Sequence, residues 1–161
     1  MSKIILLCGI SGSGKSTFAS EKVQDNPERY VIVQRDKLRE LCYGYTEETV
    51  YEYYKRNDFN YLENQITAIQ DSLINIWLKK GKDVIIDNTN LKVKYQKEFE
   101  KFNVPVEIIY FDILLKEALT RNIGRKRKVD EDVIVKQYEQ YCNLRNSASR
   151  SCVLKNKKTE K

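Results

Sequence analysis

At 161 residues, 41% apolar and 32% charged, with no apolar run near the ~20 residues of a membrane span, the sequence describes one soluble globular domain. It has no histidine, so any general base must be a carboxylate, a lysine, a tyrosine or a thiol. Four scattered cysteines (Cys8, Cys42, Cys142, Cys152) form no CxxC pair, which argues against a thiolate metal site and predicts idle thiols in a cytoplasmic protein. The net charge of +6 is uneven: residues 146–161 hold five Lys/Arg against one acid, +4, leaving 6 − 4 = +2 for the body. The chain divides into a domain over 1–145 and a basic tail over 146–161, which either meets nucleic-acid phosphates or is a solvated end.

Ile4 to Leu7 is a short apolar run leading straight into a glycine-rich loop, which predicts a first strand and not a signal peptide. A helix follows over Lys15–Asp25. Tyr30–Val33, Asp83–Ile86 and Val106–Phe111 read as further buried strands. From Phe59 to Lys80, Leu62, Ile66, Ile69, Leu73, Ile76 and Trp77 recur at helical spacing as a core stripe, stopped by Gly81. Shorter helices are predicted from Lys92 to Phe102, Leu115 to about Gly124, and Glu131 to about Leu144. Alternating strands and helices give an α/β fold with a parallel sheet of four or five strands and helices on both faces. Ligands in such sheets collect at the carboxyl ends of the strands. All three segments that follow the first three strands are polar: Gly9–Lys15, Gln34–Asp36 and Asp87–Asn90.

Gly9 to Thr17 matches G-x-x-x-x-G-K-[ST] in full, between a strand and a helix. Glycines let the backbone wrap phosphates, and the amides of Ser11, Gly12, Ser13, Gly14, Lys15, Ser16 and Thr17 at a helix N-terminus supply donors. Lys15 reaches the β- and γ-phosphates of ATP, and the Ser16 hydroxyl suits Mg²⁺. No Asn-Lys-x-Asp or Asp-x-x-Gly signature is present, which argues against a GTPase.

Asp36, after the second strand, faces the γ-phosphate position as a candidate base for an acceptor hydroxyl. In a loose phosphoryl-transfer transition state the proton leaves late, so position outweighs basicity. Arg39, one turn on, is placed to grip an acceptor phosphate. The alternative makes Asp36 a helix N-cap and Arg39 its surface partner. Asp87 is open to three readings: a shifted acid of the strand-end turn, a Walker-B-like acid at the magnesium, or a plain turn residue. Tyr43, Tyr45, Tyr51, Tyr53, Tyr54 and Tyr61, interleaved with Lys55 and Arg56, either stack bases of a single strand or fill helix interfaces. Arg121 and Arg125, one turn apart, open a run of five cations within eight residues that calls for anions, marking a basic helical lid over about 121–131.

Gly9–Thr17, Arg35-Asp36 with Arg39, the Asn88-Thr89-Asn90-Leu91 turn, and Arg121-Asn122 with Arg125 together resemble the 5′-kinase domain of the bacteriophage polynucleotide kinase family. The resemblance spans most of the chain, and its strength lies in the ordered set. It implies ATP-dependent phosphorylation of the 5′-hydroxyl of DNA or RNA in end repair. Asp36 is then the general base, Arg39 the acceptor-phosphate contact, and Arg121 and Arg125 a lid over the ATP phosphates, with Arg125 catalytic. A separate ligase or phosphatase partner is also implied. The sequence departs from the family's Asp-Thr-Asn turn by placing Asn88 where the acid would sit, with Asp87 beside it. A kinase of a small metabolite or modified-base hydroxyl, or a non-catalytic nucleotide-binding module, are the alternatives.

Overall fold

A computed structural model describes residues 1–126 and 128–158, with side chains described as far as Ser147. Four strands form one parallel sheet: β1 (Ile4–Cys8), β2 (Tyr30–Val33), β3 (Asp83–Ile86) and β4 (Val106–Tyr110), in the order β2-β3-β1-β4. Every residue of β1 and β3 is buried, as expected of central strands covered on both faces. Along β1 and β3 the side chains alternate between two cores. Ile4, Leu6, Val84 and Ile86 pack with Ile66 and Ile74 of α4 (Phe59–Lys79), while Ile5, Leu7 and Ile85 pack with Ala19 and Phe18 of α1 (Lys15–Asp25). Near the end of β1, Cys8 and Ile10 belong to a third cluster, with Ala118 of α6 (Leu115–Ile123) and Ile134, Tyr141 and Leu144 of α7 (Glu131–Lys158).

The remaining elements are α2 (Arg35–Tyr43), α3 (Val50–Tyr54), and α5 (Val93–Lys97), which runs into a 3-10 turn over Glu98–Phe102. The helix expected to end near Leu144 continues to Lys158; the side chains of the basic tail and of Cys152 lie outside the described residues. Ile76, assigned to the core stripe of the long helix, is 48% exposed instead.

The segment after β3 is stitched to the end of β1. Asn90 is buried with φ 49°, and its amide donates to the carbonyls of Leu7 (2.8 Å) and Asn88 (3.2 Å). Thr89 carbonyl accepts the Gly9 amide at 3.1 Å, and Gln96 donates to the Asn90 carbonyl at 2.9 Å. These bonds fix the phosphate loop relative to the β3 terminus. Among the described residues no helix is long and apolar enough to cross a membrane.

Replacing Asn90 removes donors from buried carbonyls and puts a less tolerant side chain at positive φ. Asn90→Ala is expected to cost about 1–3 kcal/mol in urea unfolding. Asn90→Gly should recover only the backbone share, and a change under ~0.5 kcal/mol for the alanine variant would contradict the stitching role.

Candidate active site

The glycine loop leaves β1 at Cys8 and enters α1 through Gly14, whose φ of 97° suits only glycine well. A Cβ on Gly9 would lie 2.7 Å from Ser13 Oγ and 3.0 Å from Phe111 Cβ, so the loop backbone is pressed against the chain leaving β4. Lys15 is 8% exposed, and its ammonium donates to the carbonyls of Gly9 (2.9 Å) and Ile10 (2.8 Å). Burial lowers its pKa to about 8; the Asp87 carboxylate opposes that fall and the Arg125 charge adds to it.

Ser16 donates to Asp87 Oδ2 at 2.8 Å. Burial raises the Asp87 pKa, against the Ser16 hydrogen bond and the Lys15 charge, and repulsion from Asp36 raises it further. A hydroxyl at the start of α1 and a carboxylate at the end of β3 thus converge as hard oxygen donors, a set that fits Mg²⁺ with its retained waters. Asn88 does something else: its Oδ1 accepts the Arg35 amide at 3.1 Å and satisfies the first turn of α2. Of the two residues in question at the β3 terminus, Asp87 reaches the loop and Asn88 is a helix support. Among the described residues no group of three or more His, Cys, Asp or Glu is arranged for a metal, and Cys8, Cys42 and Cys142 are free thiols.

Asp36 sits in the first turn of α2, two residues beyond the N-cap position, which Gln34 occupies without a side-chain cap bond. Arg39 is buried rather than a surface partner, and its NH1 donates to Asp36 Oδ1 at 2.6 Å. The rest of its guanidinium meets Glu63 of α4: Nε to Oε1 at 2.8 Å and NH2 to Oε2 at 2.9 Å. Arg35 NH2 (2.8 Å) and the Tyr53 hydroxyl (2.6 Å) complete four donors on one carboxylate. Burial alone would raise the Glu63 pKa, but hydrogen bonds from Arg39, Tyr53 and Arg35 hold it down at about 2. Glu63 went unread in the sequence because it lies on the polar side of an amphipathic helix; only the packing of α2 against α4 gives it partners.

Tyr53 is fully buried and surrounded by the rings of Tyr43, Tyr45, Tyr54 and Phe59, at centroid separations of 5.1–6.0 Å. The interface reading therefore holds for Tyr53 and the half-buried Tyr43, while Tyr51, Tyr54 and Tyr61 are exposed.

On the far side of the loop, Arg121 NH1 donates to Gly12 carbonyl at 3.1 Å, and the Ser11 amide donates to Gln137 Oε1 of α7 at 2.9 Å. Gln137 also escaped the sequence reading, since nothing local separates it from other helical glutamines. The lid departs from its expected helical form. α6 ends at Ile123 with Gly124 as its cap, so Arg121 is in the last turn and Arg125 lies beyond it. Asn122 favours this ending by donating to Val129 carbonyl (2.7 Å) and accepting the Val129 amide (2.9 Å). Arg127 is outside the described residues.

Comparison with known proteins places the chain in a family. Residues 4–144 match the model of a family described as an AAA domain. A protein of Autographa californica nuclear polyhedrosis virus, provisionally named a bifunctional polynucleotide kinase/RNA ligase, is 29% identical over 153 residues, covering 89% of this chain and 21% of the relative. An L-seryl-tRNA(Sec) kinase of Methanococcus maripaludis is 30% identical over 145 residues, 86% of this chain and 52% of the relative. The chain thus spans about a fifth and about half of these two curated relatives. Among solved structures, a chain of a Pnkp1/Rnl/Hen1 RNA repair complex superposes with a TM-score of 0.75 at 24% identity, covering 91% of this chain and 46% of that one. A second structure of the Pnkp1/Rnl/Hen1 complex gives a TM-score of 0.61 at 27% identity over 74% of this chain and 38% of its own. The chain belongs to the AAA domain family, as a P-loop kinase domain related to those of polynucleotide kinases.

Proposed function

We propose that the domain transfers the γ-phosphoryl group of Mg-ATP to the 5′-hydroxyl of a DNA or RNA strand in nucleic-acid end repair. The observation that carries this reading is the Asp36–Arg39 pair, a carboxylate next to a buried guanidinium, on the helix that starts beside the Ser16–Asp87 pair. In this reading Lys15 leaves the Gly9 and Ile10 carbonyls for the β- and γ-phosphates, exchanging neutral acceptors for anionic ones. Ser16 and Asp87 would hold Mg²⁺, which when bound would supply positive charge to the phosphates of the nucleotide. Asp36 takes the proton of the attacking hydroxyl, and the bond to the γ-phosphorus forms as the bond to the ADP oxygen breaks. Arg39 holds the phosphate that follows the acceptor nucleoside. Arg121 and Arg125 cover the ATP phosphates, where added positive charge stabilises the transferring group.

The named relatives support a nucleic-acid acceptor, and the free thiols accord with a cytoplasmic site of action. A strand-joining ligase is the natural consumer of the 5′-phosphate. A second reading has specific support of its own: the similarity to an L-seryl-tRNA(Sec) kinase favours a hydroxyl carried on a tRNA rather than a strand end.

Incubation with γ-labelled ATP, Mg²⁺ and 5′-OH DNA and RNA oligonucleotides is expected to label the 5′ end. Asp36→Ala should lower that transfer by about 10²–10⁴-fold with ATP binding retained, and Arg39→Ala should raise the KM for the oligonucleotide. Confirmed ATP binding without label on either oligonucleotide, and with label on seryl-tRNA, would select the second reading. Nucleotide affinity carries a further signature. Phosphates keep Lys15 protonated when bound, whereas its pKa in the free protein is about 8. Above pH 8 binding must recruit a proton, so affinity should fall by up to about tenfold per pH unit. Calorimetry in buffers of different ionisation enthalpy reads that uptake, and an affinity unchanged between pH 7 and 9.5 would refute it.

A further inference from the structure

Glu63 lies on α4, outside the strand ends that carry the phosphate loop, Asp87 and Asp36, yet two arginines and a tyrosine converge on it. Its carboxylate, 18% exposed, accepts Arg39 Nε and NH2 in a two-pronged pair, with Arg35 and Tyr53 on the same oxygens. An arginine has five N–H donors in a rigid fork. With the Nε/NH2 edge committed to Glu63, only the NH1 end of Arg39 is aimed toward Asp36. We propose that Glu63 is a positioning residue for the acceptor: it fixes the Arg39 guanidinium so that its NH1 end reads the phosphate next to the reacting hydroxyl.

The inference rests on the polynucleotide reading of the acceptor. Two physical consequences follow from removing the acid. Arg35 and Arg39 become two neighbouring, half-desolvated cations without a shared anion, and their repulsion drives Arg39 out of its present rotamer. The freed fork also matches a carboxylate bidentately, so it closes on Asp36 and ties down the group proposed as the base. Glu63 thereby keeps a cation beside a base without letting the two neutralise each other fully. Tyr53, fully buried on α3, holds the carboxylate from its other side, which brings α3 into the device.

The test compares kcat/KM for two oligonucleotides, one with a normal first phosphodiester and one with an uncharged methylphosphonate there. Wild type is expected to prefer the charged linkage by about tenfold or more, the strength of a hydrogen bond between charged groups. Glu63→Gln should bring the ratio close to one while the KM for ATP stays constant. The ratio is independent of the folded fraction, so a partly unfolded preparation still gives an answer. Tyr53→Phe removes one of the four donors on Glu63 but leaves the arginine contacts to its carboxylate, and should lower the ratio less than Glu63→Gln does. A preserved ratio in Glu63→Gln, an equal collapse in Tyr53→Phe, or a wild type that phosphorylates both linkages equally overturns the assignment. Absence of transfer from wild type to any 5′-OH oligonucleotide fails the acceptor reading itself, a different outcome, and removes the inference with it.

Discussion

Parallel pairing of β1 with β3, from Ile4↔Val84 to Leu6↔Ile86, puts two strand ends side by side, and every group of the site is referred to that pair of ends. One end becomes the phosphate loop; the other becomes Asp87. Because both strands are buried on both faces, neither can slip by a residue without turning a core side chain to the opposite core. The 2.8 Å contact between Ser16 and Asp87 is a result of that register rather than a cause of it. Asn90 then locks the turn after β3 to Leu7, which keeps the loop and the acid from drifting apart when charge enters.

The two halves of the proposed reaction are held by different parts of the molecule. The nucleotide half depends on β1, α1, and the α6 and α7 residues Arg121 and Gln137 that touch the loop. The acceptor half depends on α2 and α4, with Glu63 between them. Asn88 is a joint: it leaves the β3 terminus next to Asp87 and caps the α2 amide one residue before Asp36. A side chain that departs from the family's turn pattern thus transmits the position of the sheet to the helix bearing the proposed base. Of the readings open for Asp87, its contact with Ser16 favours an acid facing the phosphate loop over a plain turn residue.

Much of this was legible in sequence because the signals were local. Ile4–Leu7, the loop and the small residues of α1 form one contiguous strand, turn and helix, and Asp36 and Arg39 are three residues apart on a single helix. The strand boundaries followed from short apolar runs with polar residues at their carboxyl ends. What stayed hidden depends on contacts far apart in the chain. Glu63 is 24 residues from Arg39 and 28 from Arg35. Gln137 is 126 residues from Ser11. The end of α6 near Gly124 was read correctly, but the helical form of the lid was not: Arg121 and Arg125 have helical spacing, yet Arg125 lies beyond the helix, where Asn122 bonds to Val129.

The two sides of the site compensate their cations differently. Lys15 is buried against neutral carbonyls with a pKa near 8, and Arg125 adds to its difficulty. Fully satisfying that lysine within the chain would need a closer carboxylate, and such a carboxylate would compete with the phosphates. Asp87 is instead engaged with Ser16, and its own raised pKa shows that Lys15 compensates its burial incompletely. On the other side of the cleft the choice is reversed. Arg39 and Arg35 are compensated in advance by Glu63, with the Asp36 carboxylate as a second anion. The difference matches the ligands proposed for each side: a polyphosphate with magnesium brings enough charge to satisfy Lys15 on arrival, whereas a single diester phosphate brings one charge and needs its arginine already in place.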